Sequence, residues 1–250
     1  MDLKEADILG QGIGQHWYYA SKSKAIARLL QYRRYASVLD VGAGSGFFAK
    51  ALLKQSLADQ ACCVDISYYR DRDSDEDGKA LYFRKTVDET NADLILLMDV
   101  LEHVEDDVGL LFEYVRKTNV GTTFLLSVPA FQFMWSGHDI FLEHKRRYTL
   151  AQIEQVAKRA GLEVERGCYY FAAVFPIAAT TRLLEKIQRG KSLAAQSQLR
   201  KHHPLVNNVL KILSLVELAV MRFNRCFGLT AFCVAVKKRE NDDSQSFSTK

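Results

Sequence analysis

A short apolar run carrying an acid, Val38-Leu39-Asp40-Val41, passes directly into Gly42-Ala43-Gly44-Ser45-Gly46 and then into helix-forming sequence from Phe47. This order predicts a buried parallel strand that ends in a tight turn and continues as a helix. Glycines at every second position let backbone approach a ligand where side chains would collide, and the first helical turn offers unpaired N–H groups. A compact polar ligand belongs there. Sites for a pyrophosphate dinucleotide use G-x-G-x-x-G with phosphate at the helix N-terminus. The glycines at 42, 44 and 46 fit that spacing poorly, which argues against a nicotinamide oxidoreductase. Asp40 argues the same way, because a carboxylate at the strand tip repels pyrophosphate and attracts an ammonium or sulfonium. S-adenosylmethionine carries both of those charges.

Two further strand tips repeat the design. Ala61-Cys62-Cys63-Val64-Asp65-Ile66 reads as a second buried strand ending in an acid, and Asp93-Leu94-Ile95-Leu96-Leu97-Met98-Asp99-Val100-Leu101-Glu102-His103-Val104 as a third. In this order and form the three motifs resemble the class I S-adenosylmethionine-dependent methyltransferases, over most of residues 36–165. The D-V-L-E-H-V form is similar to the ubiquinone-biosynthesis-like, or type 11, branch. The resemblance implies S-adenosyl-L-methionine as cofactor and S-adenosyl-L-homocysteine as product. It implies a donor site of Asp40, Gly42, Ala43, Gly44 and Gly46 from the first motif, with Asp65 accepting from both ribose hydroxyls and Ile66 packing on adenine. Asp99, Val100 and Leu101 complete that site. A carboxylate has enough lone pairs to accept from two neighbouring hydroxyls.

The alternation of elements predicts the fold. Strands over 36–41, 60–65, 80–84, 93–99 and 121–128, with helices over 46–56 and 106–118, imply an α/β chain with a mostly parallel sheet covered on both faces. Thr149 to Leu162 reads as a capped helix, with Gln152 completing a capping box and Gly161 ending it. Residues 163–174 form the expected sixth strand and Thr230 to Lys237 the seventh, antiparallel one. The expectation is therefore a Rossmann-like, seven-stranded sheet. Its expected parts are an N-terminal helical lid over 1–35, a core of 36–175 and 229–239, a helical insertion over 176–228, and a disordered tail over 240–250. Asp71 to Gly78 contains D-x-D-x-D-G, the opening of a calcium loop, but Arg84 stands where a bidentate glutamate is needed. A solvated turn between strands is expected there instead.

The outer segments carry their own signals. A helix is expected over 14–32, and its opening His16-Trp17-Tyr18-Tyr19 resembles an H-W-W-F/Y pattern of small bacterial methyltransferases, whose first helix lids the cofactor site; Trp17 and Tyr18 are expected substrate contacts. Lys22 and Lys24 stand there where arginines are usual. Residues 1–181 hold 21 basic against 25 acidic side chains, while residues 182–250 hold 13 against 5, so a net charge of +4 conceals a basic C-terminal third. Over 206–225 a polar stripe of Asn207, Lys211, Ser214, Arg222 and Arg225 runs along an otherwise apolar helix. That pattern suits either burial against the domain or an interfacial helix, and residues 182–225 are the expected contact with an anionic membrane surface. The longest uncharged apolar stretch, Gly167 to Thr181, contains Pro176 and is too short to span a bilayer. Five cysteines without C-x-x-C and the lack of a signal-like apolar region suggest a reducing compartment, hence a cytoplasmic protein, at most at the inner face of the membrane.

Methyl transfer from a sulfonium is an in-line displacement, so the protein mainly aligns the acceptor and excludes water. A base is needed only where the acceptor must lose a proton, as a hydroxyl does. His103, just past the third motif, is one candidate base. Ser127 to Tyr148 is similar to a V-P-A…W-S-x-H-D…H-x-R-R-Y-T pattern of small bacterial methyltransferases associated with envelope glycan or polyprenyl-lipid pathways. Within it His138 and Asp139 are the expected base and orienter, and Trp135, His144, Arg146, Arg147 and Tyr148 the expected substrate contacts, the arginines for a phosphate or carboxylate. No H-x-x-x-H or cysteine partner accompanies the histidines, so no metal is expected. The sequence thus points to methylation, at oxygen, of a small-molecule or lipid- or glycan-linked acceptor. The alternatives are a nucleic-acid methyltransferase, disfavoured by the absence of an N/D-P-P-Y/F motif, and a non-catalytic cofactor-binding scaffold recruited to membrane.

Overall fold

A computed structural model describes residues 10–189 and 203–239, without the side chains of residues 11 and 186–189. Residues 1–9 of the expected lid, 190–202 of the expected insertion and the expected tail at 240–250 lie outside the described residues. The sheet is built from β1 (Tyr35–Val41), β2 (Ala58–Val64), β3 (Arg72–Glu76), β4 (Lys79–Arg84), β5 (Leu94–Met98), β6 (Thr123–Pro129), β7 (Glu163–Tyr170) and β8 (Thr230–Val236). Their spatial order is β3-β4-β2-β1-β5-β6-β8-β7. Strands β4, β2, β1, β5 and β6 are mutually parallel, while β3 and β8 run against their neighbours.

The eighth strand corrects the expectation of seven. Residues 72–76 pair with β4 as a hairpin rather than forming a solvated turn. Asp77 and Gly78, both at positive φ (58° and 73°), supply the two-residue turn that matches the twist of paired strands. The acids that resembled a calcium loop are used within the hairpin: Asp73 pairs with Arg84 at 2.7 Å, and Asp75 Oδ1 accepts from Gly78 N at 2.9 Å.

The helices are α1 (Trp17–Leu29), α2 (Phe47–Lys54), α3 (Asp107–Arg116), α4 (Gly137–Phe141), α5 (Leu150–Arg159), α6 (Phe175–Arg189) and α7 (Pro204–Glu217). A parallel strand covered on both faces needs apolar residues throughout, and β5 is buried at every position. Leu94, Leu96 and Met98 point into a layer shared with Ile26 of α1 and Leu52 of α2. Ile95 and Leu97 point into the opposite layer, with Leu111 of α3 and Ile153 of α5. The chain leaves β1 toward β2 on one side and returns to β5 on the other. The tips of β1 and β5 thus diverge at a topological switch point, where open α/β sheets bind ligands.

The insertion departs from expectation in two ways. The sixth sequence strand ends at Tyr170, where Phe171 turns to a positive φ of 63°, and the helix expected over 206–225 stops at Glu217. More informative is the direction in which α7 faces. Asn207 Oδ1 accepts from Trp17 N at 2.9 Å and Asn207 Nδ2 donates to Gln15 O at 3.0 Å. Ser214 O accepts from the Tyr170 hydroxyl at 2.9 Å, and the Glu217 carboxylate accepts from Ala172 N and Ala173 N. The side of α7 that carries Asn207, Ser214 and Glu217 therefore faces the protein, while Arg222 and Arg225 beyond it are exposed. Leu205, Val206, Val209, Ile212, Leu213 and Val216 face outward, with Leu205 70% and Val216 69% exposed.

Asn207 joins α7 to the start of α1 through two hydrogen bonds, each worth about 0.5–1.5 kcal/mol net. Asn207→Ala is expected to lower unfolding free energy by about 1–2 kcal/mol in urea titrations, with far-ultraviolet circular dichroism of the folded state unchanged.

Candidate active site

The glycine turn is held from two sides. Gly42 N and Ala43 N both donate to Val64 O, at 2.7 and 3.2 Å, which ties the tip of β1 to that of β2. Gly42 lies at φ 62°, and a Cβ there would sit 2.7 Å from Val100 Cγ2. Only glycine satisfies both demands. Asp65 accepts from Gly44 N at 2.9 Å through Oδ2 and from Ser67 N at 2.9 Å through Oδ1, and the Tyr68 hydroxyl donates to Gly44 O at 2.6 Å. The Ser67 hydroxyl also donates to Oδ1, so three acceptor positions of the carboxylate are taken and Oδ2 keeps one for an outside donor. Ile66 beside it is 85% exposed, an apolar surface that water covers poorly.

The other predicted donor residues divide between wall and support. Asp40 is buried and accepts from Ala49 N of α2 at 3.3 Å, and burial pushes its carboxyl up to about 7. Leu101 is buried in the core, whereas Val100 packs on Gly42. Asp99 takes a positive φ of 56° just beyond β5 and forms an ion pair with Lys22, which is fully buried. Ser127 Oγ donates to the same carboxylate at 3.1 Å. Burial works to raise Asp99, but the charge and hydrogen bond of Lys22 outweigh it and hold the carboxyl below its ordinary value. Burial likewise works to lower Lys22, and Asp99, with Tyr18 after it, holds the ammonium above its ordinary value.

Next to Asp99 a cavity of about 260 Å³ opens past the tips of β5 and β6. Trp17 and Tyr18 of α1, Glu102, His103, His138, His144 and Arg147 line it, with Ala178 and Arg182 of α6 as a further wall. These two aromatic residues are held from outside: Tyr18 stacks on Phe171 with ring centroids 5.0 Å apart, and Trp17 meets the same ring edge-on at 5.2 Å. Glu102 is completely buried, and neither carboxyl oxygen has a hydrogen-bond partner among the described residues. Burial first, and then the negative charge of Asp99, raise its carboxyl well above the ordinary range.

The predicted pairing of His138 with Asp139 is replaced by another. Asp139 Oδ1 lies 2.9 Å from His144 Nδ1, and Arg147 donates to both Asp139 oxygens, from Nε at 2.6 Å and from a terminal nitrogen at 3.1 Å. Asp139 also closes a capping box with Ser136 at the start of α4. The physical reason is helical geometry. Asp139 sits at the third position of its helix and turns back to the cap, whereas His144 and Arg147 return beneath it after the helix ends. Burial opposes the charge of Asp139, but His144, Arg147 and Ser136 N hold it well below the ordinary carboxyl range.

Arg146 does not line the cavity and pairs with Glu105 and Asp107, each at 3.4 Å. The Tyr148 hydroxyl is buried 2.8 Å from Asp107 Oδ2 and 3.0 Å from Leu101 O, and Trp135 likewise stands outside the cavity wall. The residue that the sequence did not bring forward is Arg182. Its guanidinium donates to Met134 O at 2.5 Å, and burial together with the neighbouring Arg147 pushes it down to about 10. Within a run of basic residues it carried no mark that set it apart from the solvated ones.

A family model described as a methyltransferase domain matches residues 15–166, which span both the glycine turn and the segment that walls the cavity. The chain belongs to the methyltransferase-domain family. Solved structures agree in fold. A protein described as a methyltransferase from Haloferax volcanii, solved in complex with the Trm112 methyltransferase activator, matches with a TM-score of 0.57 at 18% identity, covering 95% of this chain and 96% of that one. A protein from Bacillus halodurans C-125 described as a methyltransferase gives 0.53 at 14% identity, covering 86% and 99%. A SAM-dependent methyltransferase from Archaeoglobus fulgidus gives 0.52 at 16% identity, covering 94% and 98%. No curated protein shows significant sequence similarity to the chain.

The Asp139 cluster has a measurable pH signature. A carboxyl whose folded value is depressed adds stability above its unfolded value, near 4, and that contribution is lost as pH falls below it. Asp139→Asn is expected to cost about 3–5 kcal/mol at neutral pH, because Arg147 is left buried without its counter-ion. Urea titrations from pH 7 to pH 2 should show the wild type losing stability below about pH 4 and the variant following a flatter acid limb.

Proposed function

We propose that this methyltransferase uses S-adenosyl-L-methionine to methylate an oxygen of a lipid-linked acceptor that it meets at an anionic membrane surface. The donor side is supported by the fit of the glycine turn. Asp65 keeps one acceptor position on Oδ2 for a ribose hydroxyl and gains a second when the Ser67 hydroxyl turns away, and the exposed Ile66 offers an apolar face for adenine. Gly42 and Gly44 leave room for the amino-acid portion, whose ammonium the Asp99 carboxylate at the adjoining tip would attract. The bound cofactor supplies an activated methyl group; the chain supplies alignment and a closed cavity. Trp17 and Tyr18 exclude water, Arg182 gives the cavity wall a cation suited to a phosphate or carboxylate on the acceptor, and His138 in its lining receives the hydroxyl proton.

The observation that carries the acceptor class is the outward apolar face of α7. An ordinary surface helix buries its apolar stripe, and this one buries its polar stripe. Ile177, Leu183 and Leu184 are likewise exposed on α6, the helix that walls the cavity. Along the sequence, residues 182–225 hold nine Lys and Arg against two Glu. Apolar area within a basic segment is what an interfacial element needs on acidic lipid. No helix among the described residues is long and apolar enough to cross a membrane, so the contact is peripheral.

Flotation of the full chain with phosphatidylcholine vesicles containing a third phosphatidylglycerol tests the membrane contact. Recovery with the vesicles, lost at high salt and in the triple variant Leu205→Ser, Val209→Ser, Ile212→Ser, is expected. Wild-type protein that stays at the bottom, or a dimer mass by light scattering that the triple variant abolishes, would overturn it. Methyl-labelled donor should then place label in the lipid fraction of an extract, and label confined to nucleic acid would favour the nucleic-acid alternative.

The donor site has its own test. Removing Asp65 deletes charge-assisted hydrogen bonds worth about 1.5–3 kcal/mol. Asp65→Ala is therefore expected to weaken S-adenosylhomocysteine binding by roughly 10- to 150-fold in calorimetry.

A further inference from the structure

The cavity contains a group of side chains whose chemistry methyl alignment alone does not use. Glu102 and His103 follow β5, whereas His144 lies more than forty positions later, beyond α4. A backbone hydrogen bond from Lys145 N to Glu102 O, 2.7 Å long, clamps these two stretches together. The His103 and His144 rings meet edge-on with centroids 4.7 Å apart. One ligating atom from each of Glu102, His103 and His144 lies within 4.8 Å of the others, and all three residues line the cavity. We propose that Glu102, His103 and His144 form a binding site for a divalent transition-metal cation.

Three observations point the same way. Glu102 is completely buried in the cavity wall with both carboxyl oxygens lacking a hydrogen-bond partner among the described residues, an arrangement that a bound cation would satisfy. His144 Nδ1 is engaged by Asp139 at 2.9 Å, so its Nε2 is the nitrogen presented as ligand. A carboxylate behind the imidazole is the usual outer support of a metal-bound histidine, fixing its tautomer and ring plane. Finally, two imidazoles and one carboxylate are a donor set suited to zinc and similar first-row ions, and three protein ligands leave coordination positions open toward the cavity. Open positions belong to sites that bind substrate.

This role deepens the proposed oxygen methylation and rests on it. An acceptor hydroxyl bound at an open position loses its proton more readily, because the cation stabilises the oxyanion. The proton passes to His138, which lines the same cavity outside the ligand set. The oxygen lone pair then forms the new C–O bond as the methyl–sulfur bond breaks. The bond's electrons remain on sulfur, so the sulfonium becomes a neutral thioether and the oxyanion a neutral ether.

Binding is testable with the metal alone. Full-length protein treated with chelator and then titrated with Mn²⁺, followed by loss of the free-ion paramagnetic resonance signal, should take up one ion per chain. Zn²⁺ should displace it and should raise the thermal midpoint of the unmutated chain. Glu102→Gln and His144→Ala should each weaken uptake at least tenfold, while His138→Ala leaves it unchanged. Absence of both uptake and thermal shift in the unmutated chain overturns the site, as does equal uptake by the wild type and the Glu102→Gln variant. Because the titration contains neither donor nor acceptor, its failure is distinguishable from failure of the methyl-transfer reading, which calorimetry with S-adenosylhomocysteine tests separately.

Discussion

The bidentate pair between Arg147 and Asp139 fixes one side of the cavity beyond β5 and β6. Both partners are buried, and such a pair persists only when its remaining hydrogen-bonding capacity is filled. Here it is: Asp139 also engages His144 and Ser136, and Arg147 also donates to Ala130 O at 3.1 Å. The stretch from Ser136 to Tyr148 has little regular structure of its own beyond the five residues of α4. It is shaped by charge rather than by packing, and the orientation of His144 follows from that charge.

The other side of the cavity is set by a second buried pair. Lys22 reaches from α1 to Asp99 at the tip of β5, so the lid helix and the sheet are joined at the point where the glycine turn and the cavity meet. Lys22 is surrounded by Tyr18, Phe48 and Phe232, with its ammonium 5.3–5.8 Å from the three ring centroids. Aromatic faces favour a cation in such surroundings. The tip of β5 and α1 are therefore one electrostatic unit, and α1 cannot move far from the sheet without leaving the Asp99 carboxylate without its counter-ion.

Much of the sheet could be read from the chain because its central strands are continuous apolar runs of the length that parallel pairing demands. The strand tips at Gly42, Asp65 and Asp99 were legible for the same reason, since each follows such a run directly. The β3 strand was not, because Arg72 to Glu76 is wholly charged or polar. Its only signal was the Asp77-Gly78 turn beyond it. The partner of Asp139 escaped for a different reason: Ser136-x-x-Asp139 is a capping signature visible in the sequence, but the return of His144 and Arg147 beneath the same helix depends on the path of the chain. The convergence of His144 on Glu102 and His103 is likewise a matter of tertiary path, and histidine spacing along the chain carries no trace of it. For α7 the periodicity was plain, and the ambiguity lay in which stripe faced inward.

That inversion has a consequence for how the protein can change. In α7 the contacts that hold the fold come from Asn207, Ser214 and Glu217, while the aliphatic side chains opposite them contribute little to folding. Determinants of stability and determinants of surface character are carried on opposite sides of one helix, so either set can drift under selection without disturbing the other. The outward residues can be exchanged for hydrophilic ones without loosening the contacts that seat the helix.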